Sequence, residues 1–465
     1  MAAAMAVVLL MSAGCATLAP TPVDTRAGVN RMTHATLHDP AVVRALDRAG
    51  LGHAGDVASP DVLVVAAWTL RPELAEARLL HGAAVAEAQS AARRPNPVLS
   101  LTPEFTRGAA GISPWTIAVA FAVLIENPSV REARVAGAQS RASAAQWQVA
   151  TVAWTIAAQV RQSWRALRDA ERLLEVATRE DALAKERALL SRRRFDAGLV
   201  ARADMERSES QRLQSEFASV ESLRKRTVAL FRLAAAVGVP SDELVRSVEH
   251  PEAEMPTASL DAEMLREAAL FDRIDLAMAL ALHGEADAMW RGAVAARFSG
   301  LTLAPGYSFD RGERKWSVGA SAELPLFDSH APAIEGWAFR RDAAAKHVEV
   351  VQSLALGQLS AALHDLETIQ QSLATAQGVV DAREHVVDVA TRRREAGASG
   401  RDPVYDARAE LLSAERTKYE LEAQLSAAVD ALEAVVQRPV WPASALSLPT
   451  MTMAVPAAGA HDVLE

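Results

Sequence analysis

Trp115-Thr116-Ile117-Ala118-Val119-Ala120-Phe121-Ala122-Val123-Leu124-Ile125-Glu126 is the stretch on which the fold of this chain turns. Its large apolar residues Trp115, Ile117, Val119, Phe121, Val123 and Ile125 alternate with the smaller Thr116, Ala118, Ala120 and Ala122. A period of two places one set on each face of a β-strand. Residues 116–125 also have the length, ~9–11 residues, that a tilted strand needs to cross the hydrocarbon of a bilayer.

An upstream strand carries Leu99, Leu101, Pro103 and Phe105, joined to Trp115 through a glycine-containing turn, Gly108 to Ser113. A second hairpin repeats the pattern. Leu301, Leu303, Pro305, Tyr307 and Phe309 lead through Asp310 to Arg314 into Trp316, Val318, Ala320, Ala322 and Leu324, with Ser317, Gly319, Ser321 and Glu323 between them. The strands are expected at residues 98–107, 114–126, 300–310 and 315–327. Trp115, Ile117, Val119, Phe121, Trp316 and Val318 are expected to face lipid, and aromatics at strand ends fit interfacial girdles. No later stretch offers the ~20 uninterrupted apolar residues of a spanning helix, so a membrane crossing is expected as β-strands.

The second hairpin belongs to a larger duplication. Arg71 to Gly82 reads RPELAEARLLHG and Arg273 to Gly284 reads RIDLAMALALHG; seven of twelve positions agree, against about one expected from ordinary composition. The same offset of 202 residues carries Leu99, Leu101 and Pro103 onto Leu301, Leu303 and Pro305. Trp115 matches Trp316 at 201, and Arg194-Phe195-Asp196-Ala197-Gly198 matches Arg393-Arg394-Glu395-Ala396-Gly397 at 199. Near-constant offsets mean one structural unit used twice, in residues 65–250 and 265–440.

Each copy opens with a helix rich in Ala, Leu, Glu and Arg, such as Glu73 to Arg93, followed by the hairpin and then a long proline-free run. No proline lies between Pro128 and Pro240, or between Pro332 and Pro403. An interior proline costs ~3 kcal/mol, so its absence permits very long helices. Ser129 to Phe195 spans 67 residues, about 100 Å as a helix. Such a length does not fit inside a globular core and implies coiled-coil-like packing against neighbours. Gly198 and Gly397 suit left-handed caps where the chain reverses, and return helices are expected over Asp204 to Leu233 and Pro403 to Gln437.

Two hairpins give four strands, too few to close a barrel, and open edges facing lipid would leave backbone groups unpaired. Other protomers must complete the sheet, with closed symmetry the usual solution. Three chains would supply twelve strands, within the ~8–26 range of outer-membrane barrels, although strand arithmetic alone does not choose three over four.

The 465-residue chain is 50% apolar and 23% charged, with a net charge of -9, a balance opposed to nucleic-acid binding. Its single cysteine, Cys15, excludes an internal disulfide. Cys15 follows Ser12-Ala13-Gly14 and a short apolar run, the layout of a lipoprotein-type signal in residues 1–15 with Cys15 as the lipid attachment. Residues 16–64 are expected as an extended linker and 441–465 as a flexible tail. No nucleophile–base set, phosphate loop or metal-ligand spacing is present, so no enzymatic, cofactor or metal role is expected.

These elements resemble the TolC-like outer-membrane efflux factors. The residues that carry the resemblance are Arg94-Pro95-Asn96-Pro97-Val98-Leu99-Ser100-Leu101 at the first helix-to-strand junction and Leu324-Pro325-Leu326-Phe327-Asp328 after the last strand. The repeated Arg-x-x-x-Gly at Arg194/Gly198 and Arg393/Gly397 is also similar, and the order of elements covers residues 65–440. Two junctions depart from the family pattern: Ile125 to Arg131 replaces a frequent Pro-x-x-x-x-Gly-Lys-Arg, and Ala331-Pro332 stands where a glycine is common.

The resemblance implies a mainly α homotrimer with a transmembrane β-barrel, each protomer giving four strands to a twelve-stranded barrel and its long helices to an α-helical barrel in the periplasm. It implies outer-membrane location and passive export of metal cations or drugs, received from a periplasmic membrane-fusion (adaptor) protein and an inner-membrane pump of the resistance-nodulation-division type. Ile112-Ser113-Pro114-Trp115 looks most similar to members serving heavy-metal exporters. The turn residues Arg194, Gly198, Leu199, Arg393, Gly397 and Arg401 are implied to dock the adaptor, the arginines by hydrogen bonds and the glycines by close backbone approach. Asp204, Glu206 and Glu209, with Asp402, Asp406 and Glu410, lie just past the turns and would form a cation-selective, pH-sensitive gate at the periplasmic entrance. An exit duct for type I protein secretion is a second reading. A structural periplasmic coiled-coil lipoprotein is a third, although it has no use for a Trp-rich alternating hairpin.

Overall fold

Long helices need capped ends and proline-free interiors, and this chain supplies both twice. The structure, a computed structural model, describes residues 19–51, 59–107, 114–247, 261–298, 300–310, 312–441 and 446. Helices α1 (Thr25–Thr33), α2 (Pro40–Ala49) and α3 (Pro60–Leu70) come first. The first repeat then runs α4 (Pro72–Ala91), β1 (Val98–Phe105), β2 (Trp115–Glu126), α5 (Pro128–Asp196), α6 (Arg202–Val237) and the short α7 (Ser241–Ser247). The second runs α8 (Ala262–Phe271), α9 (Ile274–Ala295), a 3-10 turn, β3 (Gly300–Asp310), β4 (Glu313–Ala322), α10 (Ala331–Glu395) and α11 (Asp402–Val436).

The four strands form one antiparallel sheet in the order β1-β2-β3-β4, so the two hairpins lie side by side and β1 and β4 are its edges. The long helices continue from the same end of the sheet. At the first junction Asn127 does two jobs. Its Oδ1 accepts from the Ser129 N–H at 3.0 Å, capping α5, while its Nδ2 donates to the carbonyls of Ala295 and Phe298 at the end of the preceding helical segment. Glu126 pairs with Arg134 in the second turn of α5, so the unusual Ile125–Arg131 stretch makes a tightly bonded turn of its own. At the second junction His330 adopts φ 59° and its N–H donates to Asp328 Oδ1 at 2.7 Å, opening α10.

Helix α5 packs against α4, α6, α9 and α11, and α10 against α9 and α11. The four longest helices therefore lie side by side in the order α6, α5, α11, α10. The main core joins α2, α3, α5 and the end of α6 through Leu46, Leu63, Val160, Trp164, Leu167 and Leu233. A second core joins α8, α10 and α11 through Leu265, Leu359, Leu366, Leu425 and Leu432.

The duplication is visible in two matching staples. Arg71 holds Glu73 at 2.6 Å and donates to the Ala236 carbonyl at 3.3 Å, while Arg273 holds Asp275 at 2.6 Å and donates to the Val435 carbonyl at 2.5 Å. Each ties the start of its repeat to the end of its last long helix. The hydrogen bond from Arg71 lowers the Glu73 carboxyl below its usual range. Burial pushes the Asp275 carboxyl up, but the hydrogen bond and charge of Arg273 outweigh it, and Asp275 also sits low.

Three expectations are corrected. Residues 16–64 are not an extended linker: α1, α2 and the start of α3 occupy this stretch, and Val42, Leu46, Leu63 and Val64 are buried in the main core. Asp39 before Pro40 and Ser59 before Pro60 cap α2 and α3, a polar cap followed by proline that marks helix starts. The last strand stops at Ala322 instead of continuing to 327; Pro325 has no N–H for a ladder, and Leu324, Leu326 and Phe327 leave the sheet exposed. The carboxy-terminal tail does not begin at 441, because Trp441 is buried, its carbonyl accepts from Arg165 at 2.5 Å, and Arg168 lies over its ring. Cys15 and the Gly108–Ser113 turn lie outside the described residues.

Candidate functional site

The sheet is the first functional element. Register brings Phe105 opposite Trp115, Pro103 opposite Ile117, Leu101 opposite Val119 and Leu99 opposite Phe121. The next pairs are Ile117 with Phe309 and Val119 with Tyr307, then Tyr307 with Trp316 and Pro305 with Val318. All six residues expected to face lipid thus share one face, with rings of Phe105 and Trp115 and of Tyr307 and Trp316 each 5.0 Å apart. Trp316 and Val318 are largely exposed on edge strand β4. The opposite face carries Ser100, Thr102, Glu104, Thr116, Ser308, Ser317 and Ser321 with small residues between them. A sheet apolar on one side and polar on the other suits a boundary between hydrocarbon and water.

The second element is the pair of turns at the far end of the helices. Gly198 and Gly397 both have φ 72°. The Leu199 N–H donates to the Arg194 carbonyl at 2.8 Å and the Ala398 N–H to the Arg393 carbonyl at 2.9 Å, so both helices end in the same left-handed cap. Leu199 is exposed at one turn, and Arg393 and Arg401 at the other. Arg194 instead reaches across to Asp402, 2.7 Å away. The two turns are therefore joined.

Every acid named for the entrance has an arginine partner. Asp402 meets Arg194 and Asp406 meets Arg187 of α5, each at 2.7 Å, and Glu410 meets Arg383 of α10. Asp204, Glu206 and Glu209 bond Arg207, Arg202 and Arg212 within α6. The hydrogen bond from Arg212 lowers the Glu209 carboxyl below the ordinary range.

The third element escaped sequence reading: an ion-pair ladder between α5 and α11. Arg161 meets Asp61 and Glu433 at 3.1 and 3.4 Å; Arg165 meets Glu433 at 2.7 Å and also Asp430. Arg168 donates to Ser426 at 2.8 Å and to Asp169, and Arg172 meets Glu422. Below these, Arg179 meets Glu415 at 2.7 Å and Glu180 meets Arg416. With Arg187 and Arg194 the ladder extends over 34 residues, about 50 Å of helix. Arg161, Arg165 and Arg168 are buried, as is Glu433. Arginine is suited to such sites because its planar fork satisfies several acceptors at once. The signal was present as arginines at 161, 165, 168 and 172, the spacing of one helix face, with acids at matching intervals in the second copy.

Comparison with known proteins agrees with this geometry. The family described as "Outer membrane efflux protein" matches residues 63–239 and 265–436. No curated protein matches. Among solved structures, the outer-membrane channel OprN aligns at TM-score 0.67 with 19% identity, covering 91% of this chain and 99% of that one. The outer membrane protein VceC of Vibrio cholerae aligns at 0.65 with 19% identity, covering 82% and 96%, and CusC at 0.66 with 15% identity, covering 81% and 91%. With the family matched over both repeats and the fold shared along nearly the whole length of these channels, the chain belongs to the outer membrane efflux protein family: it is an outer-membrane efflux channel protein reaching into the periplasm, and not an enzyme.

Proposed function

We propose that three copies of this chain close into a twelve-stranded barrel continued by an α-helical tube, through which solutes pass passively to the exterior. The observation that carries this reading is the four-stranded sheet with an apolar outer face and unpaired edges at β1 and β4. A lone sheet of this kind is stable neither in water nor in lipid, and closure with other copies satisfies both its edges and its face.

In this reading the Arg194/Gly198/Leu199 and Arg393/Gly397/Arg401 turns meet a periplasmic adaptor, which hands over cargo from an inner-membrane pump of the resistance-nodulation-division type. The acids Asp204, Glu206, Glu209, Asp402, Asp406 and Glu410 surround the entrance, where their arginine partners set how much negative charge is presented to a passing cation. Trp115, Ile117, Val119, Phe121, Trp316 and Val318 contact lipid, and Cys15 carries a lipid anchor. Metal cations are the favoured cargo over drugs, on the likeness of Ile112-Ser113-Pro114-Trp115 to heavy-metal members; CusC, named among the similar structures, is described as forming a transmembrane channel.

The test is loss of the gene in its own host. Sensitivity to soft or divalent metal cations, with drug tolerance unchanged, supports the cargo assignment; sensitivity to drugs alone refutes it, and a defect only in protein secretion favours the type I exit duct.

A further inference from the structure

Across their helical hairpins the two repeats correspond at a constant offset of 199. Gly198 corresponds to Gly397, and the left-handed caps Gly238 and Gln437 correspond as well. Buried residues follow the same rule: Leu230, Leu233 and Val237 of α6 match Val429, Leu432 and Val436 of α11. Val160 and Leu167 of α5 likewise match Leu359 and Leu366 of α10. Within this scheme α6 packs on α5 as α11 packs on α10.

Helix α11, however, uses a second face. Leu412, Arg416, Tyr419, Glu422 and Asp430 lie along α5, where Leu412 joins Val176 and Leu183 and the charged members join the ladder. The corresponding positions of α6 are Leu213, Phe217, Val220, Leu223 and Phe231. All five are exposed, Phe217 to 73% and Val220 to 62%. A row of five large exposed apolar side chains, broken by Thr227 between Leu223 and Phe231, is not a solvated face. Its partner, by the repeat relationship, is the matching face of α10, which in a single chain is out of reach: α5 and α11 stand between α6 and α10.

That face of α10 is complementary in size. Arg179 and Leu183, which meet Glu415 and Leu412, correspond to Gly378 and Ala382. Both are exposed, and nothing lies within 4 Å of where a Cβ on Gly378 would stand. Carrying the α5–α11 contacts over at the same offset sets Leu213 against Ala382, Phe217 against Val379, and Glu216 against the adjoining Gly378. At this end of the row large side chains meet small ones, as close packing requires, while Leu223 and Phe231 are carried onto the uncharged Gln371 and the imidazole of His364.

We propose that the α6 row of one copy seats in the α10 face of a second copy, Phe217 on Val379 and beside Gly378, so that the seam between copies is largely apolar while the corresponding seam inside each copy is the ionic ladder. The proposal rests on the multi-chain reading above and adds which residues meet. It also assigns the two seams different chemistry: the seam between copies holds by packing and is insensitive to salt.

The test uses the full-length protein in detergent. Leu213→Cys combined with Ala382→Cys, mildly oxidised, is expected to give covalent dimers and trimers on a denaturing gel, whereas each single variant, with Cys15 still present, does not. Gly378→Trp is expected to lower the trimer fraction at least tenfold without changing helical content, because the added ring projects into open space within one chain. Gly378→Ala is expected to assemble. Phe217→Gly combined with Gly378→Phe is expected to restore assembly. If the unmodified protein is trimeric but the cysteine pair does not cross-link and Gly378→Trp assembles normally, this seam is wrong while the trimeric channel stands. If the unmodified protein is a monomer, both readings fall.

Discussion

Arg165 of α5 and Glu433 of α11 meet at 2.7 Å with side chains only 1% and 2% exposed, which joins the first repeat to the second inside a dry interface. Glu433 also accepts from the backbone N–H groups of Val440 and Trp441 at 2.8 and 3.0 Å. Removing one member of a buried pair strands the other, at a cost of about 3–5 kcal/mol, whereas replacing both with apolar residues is often near neutral. Glu433→Leu is therefore expected to lower the unfolding temperature sharply. Arg165→Met combined with Glu433→Leu falls outside that near-neutral case, because Asp430 and the Trp441 carbonyl lose Arg165 as well, and it is expected to be at least as destabilised. A double variant more stable than Glu433→Leu would show that Arg165 buried without Glu433 costs more than its remaining bonds return.

The matching staples make an acid-range prediction. A carboxyl held low in the folded state stabilises the fold fully above its unfolded value, about 4, and loses that contribution as the pH falls through its folded value. Asp275 and Glu73 are both held low. Asp275→Asn is expected to be less stable than the parent at neutral pH, with the gap closing below pH ~4. Melting temperatures across pH 2.5–7 check this (buffer range), and a constant gap at all values would place the effect in packing alone.

At the tips, Gly198 has φ 72° and no atom within 4 Å of an added Cβ. Gly198→Ala therefore meets no clash, only the left-handed backbone penalty of roughly 1–2 kcal/mol. Faster amide exchange at the turn and weaker adaptor binding are expected, with the barrel end unaffected.

On the sheet, Val318 and Ser317 are neighbours on opposite faces of β4. Val318→Lys at mid-sheet is expected to cost ~2–4 kcal/mol of membrane stability, and Ser317→Lys far less. Folding titrations into lipid vesicles distinguish them, and equal costs would remove the lipid-facing assignment.

The hairpins and long helices were legible because each rests on a local period or on missing proline. Trp115 to Ile125 and the proline-free run from Ser129 to Phe195 carry their fold in composition alone. The ladder was not legible, because Arg161 and Glu433 are 272 residues apart and their meeting depends on how two helices pack. The amino-terminal helices were missed for a different reason. The Asp39-Pro40 and Ser59-Pro60 caps were present, but α3 is buried on nearly every side and so shows no amphipathic stripe. For the acids that follow the second turn, Asp402, Asp406 and Glu410, the arginine partners on α5 and α10 were not legible, because they too depend on how helices pack.

The central claim is that this chain becomes a pore only by closing its sheet with other copies. The most direct measurement is single-channel recording of the purified protein in planar lipid bilayers, paired with its mass in detergent. A trimer giving discrete, long-lived conductance steps is the predicted result, and a detergent-independent, water-soluble monomer that leaves the bilayer silent would contradict it.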